Sequence, residues 1–264
     1  MIEELKKFWS KYFPYKLHPD DENYLGNLRN KYCLDISIEN LRKKYGTDLK
    51  SDLTREKFVN DKGNKNKILT NLRAGPFFGD ITNAKIYILM GNPGFHTGDF
   101  MDEIEDENNI DLLNANLKLE LKTFGCLHDK AIKTGGYRYW SNNGRIPKIS
   151  KILTSINKQS SIKNYQLVKD SICIVESIAY HSCNKPNDEL YNLPSSKLTK
   201  RLVNNYIQER VNNDKAMCFV WRSAAFWNMN FHKNLLIRDP KQAQLAVFKN
   251  DEAEVMAKFL NDKK

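Results

Sequence analysis

Apolar residues recur along this chain with two different periods. Near the start, Leu5, Phe8, Trp9, Tyr12 and Phe13 stand three and four apart, which predicts an amphipathic helix broken by Pro14 and Pro19. Residues 36–44 predict a second helix, and 62–67 a basic loop. Four short apolar runs follow, at 86–90, 171–178, 217–221 and 235–237. Each is apolar on both faces and ends in polar or turn-forming residues, as buried parallel strands do. Helical faces lie between and after them. They are Ile149, Ile152, Leu153 and Ile156; then Leu198, Leu202, Tyr206 and Ile207 behind a cap at Ser195-Ser196; then Val255, Met256, Phe259 and Leu260 behind Asn250. Residues 101–120, acidic and rich in asparagine, predict a loop or lid followed by a helix. Strands alternating with helices predict an α/β protein, its parallel sheet covered on both faces. No internal repeat is found.

The first apolar run carries the strongest chemical signal. Ile86–Met90 stops abruptly at Gly91-Asn92-Pro93-Gly94, which cannot continue a strand. Asn92 is thereby expected at the carboxyl end of a central strand, where ligands bind in open α/β sheets. Taken alone, the tetrapeptide is also an ordinary strand-to-helix turn. The second run contains an acid, Glu176, followed by Tyr180, His181 and Ser182. An acid inside an apolar run is rarely idle. His181 is open to two roles, polarising or binding a ligand, or bonding to backbone. His18-Pro19, flanked by lysine and aspartates, predicts a surface turn.

Composition narrows the class. The 264 residues are 41% hydrophobic and 11% aromatic, enough for a substantial core. No apolar run approaches a membrane span, and Met1-Ile-Glu-Glu lacks the features of a secretory signal, so a cytoplasmic protein is expected. The five cysteines, at 33, 126, 173, 183 and 218, form no C-x-x-C pair. That, with their odd number, argues against a disulfide framework, a zinc ribbon or an iron–sulfur site. With 42 basic and 32 acidic residues the net charge is +10, which suits a polyanionic partner.

Met90-Gly-Asn-Pro-Gly94 resembles the motif that ends the first strand in the uracil-DNA glycosylase superfamily, most closely the mismatch-specific and single-strand-selective branches, which use Asn there. Gly75-Pro-Phe-Phe-Gly-Asp80 resembles the lead-in to that strand. The resemblance spans roughly residues 70–260. It implies a three-layer α/β/α domain with a central four-stranded parallel sheet over residues 71–264, preceded by a helical, basic extension at 1–70. It also implies that Asn92 orients the attacking water. Gly91, Pro93, Gly94, Phe95, Phe78 and Tyr180 would shape the base pocket, with small Gly94 leaving room beside the base. Arg222, Ser223, Arg238, Asp239, Lys241, Gln242 and Gln244 would contact DNA. Tyr137-Arg-Tyr-Trp140 offers aromatics for stacking or for the core.

Two positions depart from the superfamily. Glu176 stands where uracil enzymes read the base, usually with Asn. An ionised Glu only accepts hydrogen bonds and suits the N4 amine of cytosine, whereas a protonated one also donates. Alternatively Glu176 faces away and pairs with a lysine. Asp239 stands where the superfamily often has His or Asn. The expectation is a monofunctional DNA glycosylase, monomeric, acting on double- or single-stranded DNA with no cofactor and no metal. Excising ordinary cytosine would be lethal to the host, so the expected substrate is a modified cytosine, such as hydroxymethyl or glucosylated cytosine of phage DNA. The alternatives are a uracil or mismatch repair glycosylase, and a non-catalytic nucleic-acid-binding module.

Overall fold

The computed structural model describes residues 1–262. Its strands are β1 (Cys33–Leu34), β2 (Ile68–Leu69), β3 (Phe77–Phe78), β4 (Ile86–Met90), β5 (Ile172–Glu176), β6 (Met217–Val220) and β7 (Leu235–Ile237). β1 and β2 form a small parallel pair, and the others form one sheet in the order β3-β5-β4-β6-β7. β4 pairs parallel with β5 and with β6, β6 pairs parallel with β7, and β3 pairs antiparallel with β5. The sheet is thus five-stranded and mixed, not the four-stranded parallel sheet expected. A two-residue strand such as β3 is too short to leave a periodic pattern. Gly79 lets β3 lie there. Its φ is +115°, and a Cβ on it would sit 2.5 Å from the Ile172 carbonyl oxygen.

Every residue of β4, β5 and β6 is buried, and successive residues face opposite cores. Tyr87, Leu89, Cys173, Val175, Cys218 and Val220 share one core with Leu5 and Trp9 of the first helix and with Leu198, Leu202 and Ile207. Ile86, Ile88, Met90, Ile172, Ile174 and Phe219 share the other with Ile149, Leu153, Val168, Met256 and Leu260. Each such side chain contributes about 1.5–3 kcal/mol by leaving water. The helices against this sheet include the first, Ile2–Trp9, then Ile146–Asn157 and Ser161–Ser171 ahead of β5, Pro194–Arg201 ahead of β6, and Asn250–Asp262 after β7.

Several local expectations are revised. Residues 36–44 are a helix shifted to Ile38–Tyr45, capped by Ser37. Pro194 opens its helix, so Ser195 and Ser196 lie inside it, buried, and Ser195 N–H donates to Asp21 Oδ1 at 2.9 Å. Residues 101–120 are mostly helical, in Asp99–Ile104 and Glu107–Leu117. His18-Pro19 is not a surface turn. His18 is fully buried, stacks on Phe8 at 3.7 Å between ring centroids, and accepts from Asp20 N–H to cap the helix Pro19–Leu25. Residues 1–25 are built into the main core: Tyr12 Oη accepts from Ala74 N–H at 2.8 Å, and Tyr180 Oη accepts from His18 N–H and donates to Asp21. None of the five cysteines is paired in a disulfide.

Candidate functional site

The parallel register brings the carboxyl ends of three strands to one edge. Met90 lies beside Glu176, and Leu89 beside Val220. The turns leaving them are tied together, with Ile178 N–H donating to Gly91 O at 2.9 Å and Arg222 N–H to Leu89 O at 3.2 Å. Above this edge lies a cavity of about 850 Å³. Asn92, Pro93, Gly94 and Phe95 line it, as do Phe78, Glu176, His181 and Arg222. These eight residues, all singled out in the sequence, therefore converge on one space.

Asn92 is held by its amide nitrogen, which donates to Pro93 O at 2.7 Å and to Ser182 Oγ at 2.9 Å. Ser182 is fixed in turn by donating to Asn184 O. With its nitrogen anchored by these two contacts, the Asn92 amide oxygen is left to accept a hydrogen bond. Glu176 is 5% exposed, and its Oε2 has no hydrogen-bond partner among the described residues. Its side chain forms no ion pair with a lysine among them. Burial pushes its carboxyl up to about 8, against the nearby charges of Arg222 and His181. At neutral pH it is a carboxylic acid, able to donate as well as accept.

His181 takes the backbone-bonded role of the two open to it. Nδ1 bonds Gly94 O at 2.7 Å, and Nε2 meets Glu103 Oε1 at 3.0 Å. Burial disfavours its charge. The Glu103 carboxylate outweighs that, with Asp99 and the Gly94 carbonyl, and raises His181 to about 9. As an imidazolium both its nitrogens donate, and both are occupied. Glu103 Oε2 also accepts from Arg73 N–H at 2.9 Å. The turn bearing Asn92 is therefore clamped through a cationic histidine to the helix Asp99–Ile104. Asp99 is pushed up to about 7 by burial, opposed by His181 and reinforced by Glu103. Asp99 and Glu103 are four apart, on one face of a short helix. That spacing was readable in the sequence, but Glu103 fell in residues 101–120, read as a loop or lid followed by a helix, and Asp99 lay just outside them.

The remaining expected residues lie elsewhere. Tyr180 is fully buried in the opposite core. Gly91 does not line the cavity, and its carbonyl accepts from Ser177 Oγ and Ile178 N–H. Ser223 has φ +56° and bonds the Tyr191 hydroxyl at 3.1 Å. Asp239, Lys241 and Gln244 are exposed on the turn after β7, where Asp239 caps Lys241 N–H, and Gln242 beside them is half-buried. Trp140, of the tyrosine-rich stretch, packs against Phe124 and Trp221 and, with Arg138 and Tyr139 of that stretch, does line the cavity. Arg238 is not available to DNA. It is 3% exposed, pairs with Glu252 through Nε at 2.7 Å, and donates to Leu245 O and Val247 O at 3.0 Å. Arg238→Met should lower stability by about 3–5 kcal/mol, because it strands the buried Glu252 charge. Urea unfolding checks this, and a loss below about 1 kcal/mol would show the pair to be dispensable.

No helix among the described residues is long and apolar enough to cross a membrane. No group of three or more His, Cys, Asp or Glu side chains among them is arranged to hold a metal ion. Cys126 and Cys183 line the cavity, but burial pushes both thiols up to about 12, so neither is a nucleophile at neutral pH. No family model, curated protein or solved structure matches the chain.

Proposed function

We propose that this protein is a monofunctional DNA glycosylase that hydrolyses the N-glycosidic bond of a modified pyrimidine, most simply a modified cytosine, and leaves an abasic site. The observation that carries the reading is Glu176. It is a buried acid with an unpartnered oxygen, and it faces the same cavity as an asparagine fixed at the end of the neighbouring strand. Such a cavity suits a base turned out of the stack, since enzymes that act on bases must extrude them. The net charge of +10 suits a DNA partner.

In this reading Asn92 accepts a hydrogen bond from a water and holds it below C1′. The water oxygen bonds to C1′ as the glycosidic bond breaks, its electron pair leaving with the base and the water's surplus proton passing to solvent. An amide is a poor base, so bond breaking runs ahead of attack, and the protein contributes chiefly by positioning. His181 and Glu103 hold the Asn92 turn. Neutral Glu176 offers one donor and one acceptor, which complement the N3 and N4 edge of cytosine.

The same neutral acid also complements the N3–H and O4 edge of uracil. That supports a second reading, uracil or mismatch repair. The cavity volume favours the first, since about 850 Å³ far exceeds an unmodified pyrimidine. A panel of duplexes carrying cytosine, hydroxymethylcytosine, glucosylated cytosine or uracil, treated with alkali after incubation, separates the readings. Strand breaks are expected at modified cytosines. Breaks confined to uracil would move the assignment to repair. DNA binding that weakens steeply with salt, without breaks on any duplex, would leave only a binding module.

A further inference from the structure

The cavity changes character between its two ends. The inner end is buried and largely apolar, with Phe78, Met90 and Ile174 around the Glu176 carboxyl. The mouth is polar and carries charges of both signs. The chain at residues 50–55 supplies Lys50 and Arg55, both exposed, and the segment 96–102 supplies His96, Asp99 and Asp102. This rim is organised. Asp102, 4% exposed, takes Lys50 Nζ at 2.9 Å on one oxygen and Gly135 N–H at 2.9 Å on the other. Asp99 Oδ2 accepts from His96 N–H at 2.6 Å. Arg55 forms no ion pair among the described residues.

We propose that this outer compartment holds a hydroxyl-rich substituent carried by the base, a single sugar of hexose size linked through the ring's 5-position. The inference rests on the base-excision reading of the inner end. The unpartnered Glu176 oxygen fixes which end receives the base edge, so a substituent on the ring extends toward the mouth. The cavity has room for both parts, being within the range that encloses drug-sized ligands. The mixed charge selects the chemistry. Hydroxyls donate to carboxylates and accept from guanidinium and ammonium groups, so alternating acids and bases fit a neutral polyol. Neutral Glu176 complements cytosine and uracil edges alike, so the choice of substrate falls to this compartment. It also gives the N-terminal residues a part in specificity.

The test is calorimetric titration of the intact protein with three free nucleosides: deoxycytidine, 5-hydroxymethyl-deoxycytidine and its glucosylated derivative. The glucosylated nucleoside is expected to bind at least about tenfold tighter than the hydroxymethyl one, the scale of a charge-assisted hydrogen bond. In Arg55→Ala and Asp99→Asn that ratio should fall toward one. Arg55 is exposed and unpaired, so its variant keeps the test sound should Asp99→Asn disturb folding. Equal affinities in wild type, no measurable binding of either modified nucleoside, or a ratio that neither variant moves would overturn the proposal. Preferential binding of the glucosylated nucleoside with no base released from any duplex would keep the compartment and remove the glycosylase reading. Base release from duplexes with no preference for the sugar would do the reverse.

Discussion

Asn92→Ala is expected to slow base release by roughly 10²–10³-fold in single turnover, the cost of losing one preorganised polar group at a reacting centre. Affinity for DNA should stay close to wild type, because the Asn92 amide is spent on Pro93 O, Ser182 Oγ and the water rather than on phosphates. Ser182→Ala removes one of the two anchors of that amide and should give a smaller loss in the same direction. A near-normal rate for Asn92→Ala would reduce the Gly91–Gly94 segment to a turn. Equal losses of binding and rate would point to a collapsed turn, and circular dichroism on the variant would detect that.

The second large effect concerns Glu176 and pH. Burial holds its carboxyl up to about 8, so the neutral form that both donates and accepts prevails below that value. Above it the carboxylate keeps only acceptors, and one of the two hydrogen bonds to a pyrimidine edge is lost. Activity should therefore fall as pH rises through about 8. A second fall is expected through about 9, where His181 loses the proton that it donates to Glu103 or Gly94. Glu176→Gln carries a donor and an acceptor at every pH. It should retain much of the activity and lose the limb near 8 while keeping the one near 9. Glu176→Ala should lose about 1–3 kcal/mol of base recognition, roughly five- to 150-fold in rate. Should Glu176→Gln be as damaged as Glu176→Ala, or should the limb near 8 persist in it, the acid does not read the base through its neutral form. Folding is linked to the same proton. From about 4.5 to about 8 the native chain keeps a proton that the unfolded chain releases, so this group makes stability decline as pH rises across that window.

The strands that frame the site were legible because they are buried on both faces, and such strands read as continuous apolar runs. Their ends were legible because Gly91, Pro93 and the polar residues after Ile178 cannot extend them. Asn92, Glu176, His181 and Arg222 could thus be brought to one edge from sequence. What the sequence concealed depended on contacts between distant segments. Arg238 looked like a surface cation, yet Glu252, fourteen residues on, draws it inward. His18 looked like a turn residue, yet Phe8 and the Tyr180 hydroxyl bury it. Glu103 sat in residues 101–120, whose acids and asparagines predicted a loop or lid before a helix, and Asp99 just ahead of them; the cationic His181, in a distant segment, faces both acids. Strand β3 escaped detection because two residues carry no period. Lys50 and Arg55 gave no sign of reaching the site, since the small β1–β2 pairing that helps bring the N-terminal chain alongside involves only two residues per strand.

The most direct measurement is mass spectrometry of the small molecules freed when the intact protein is incubated with a duplex bearing a single modified cytosine. The account predicts the intact modified base, free of its deoxyribose, appearing in step with an alkali-labile abasic site, and neither product with Asn92→Ala. A wild-type reaction that binds the duplex but frees no base, or one that frees only the substituent and leaves the cytosine in the strand, would contradict it.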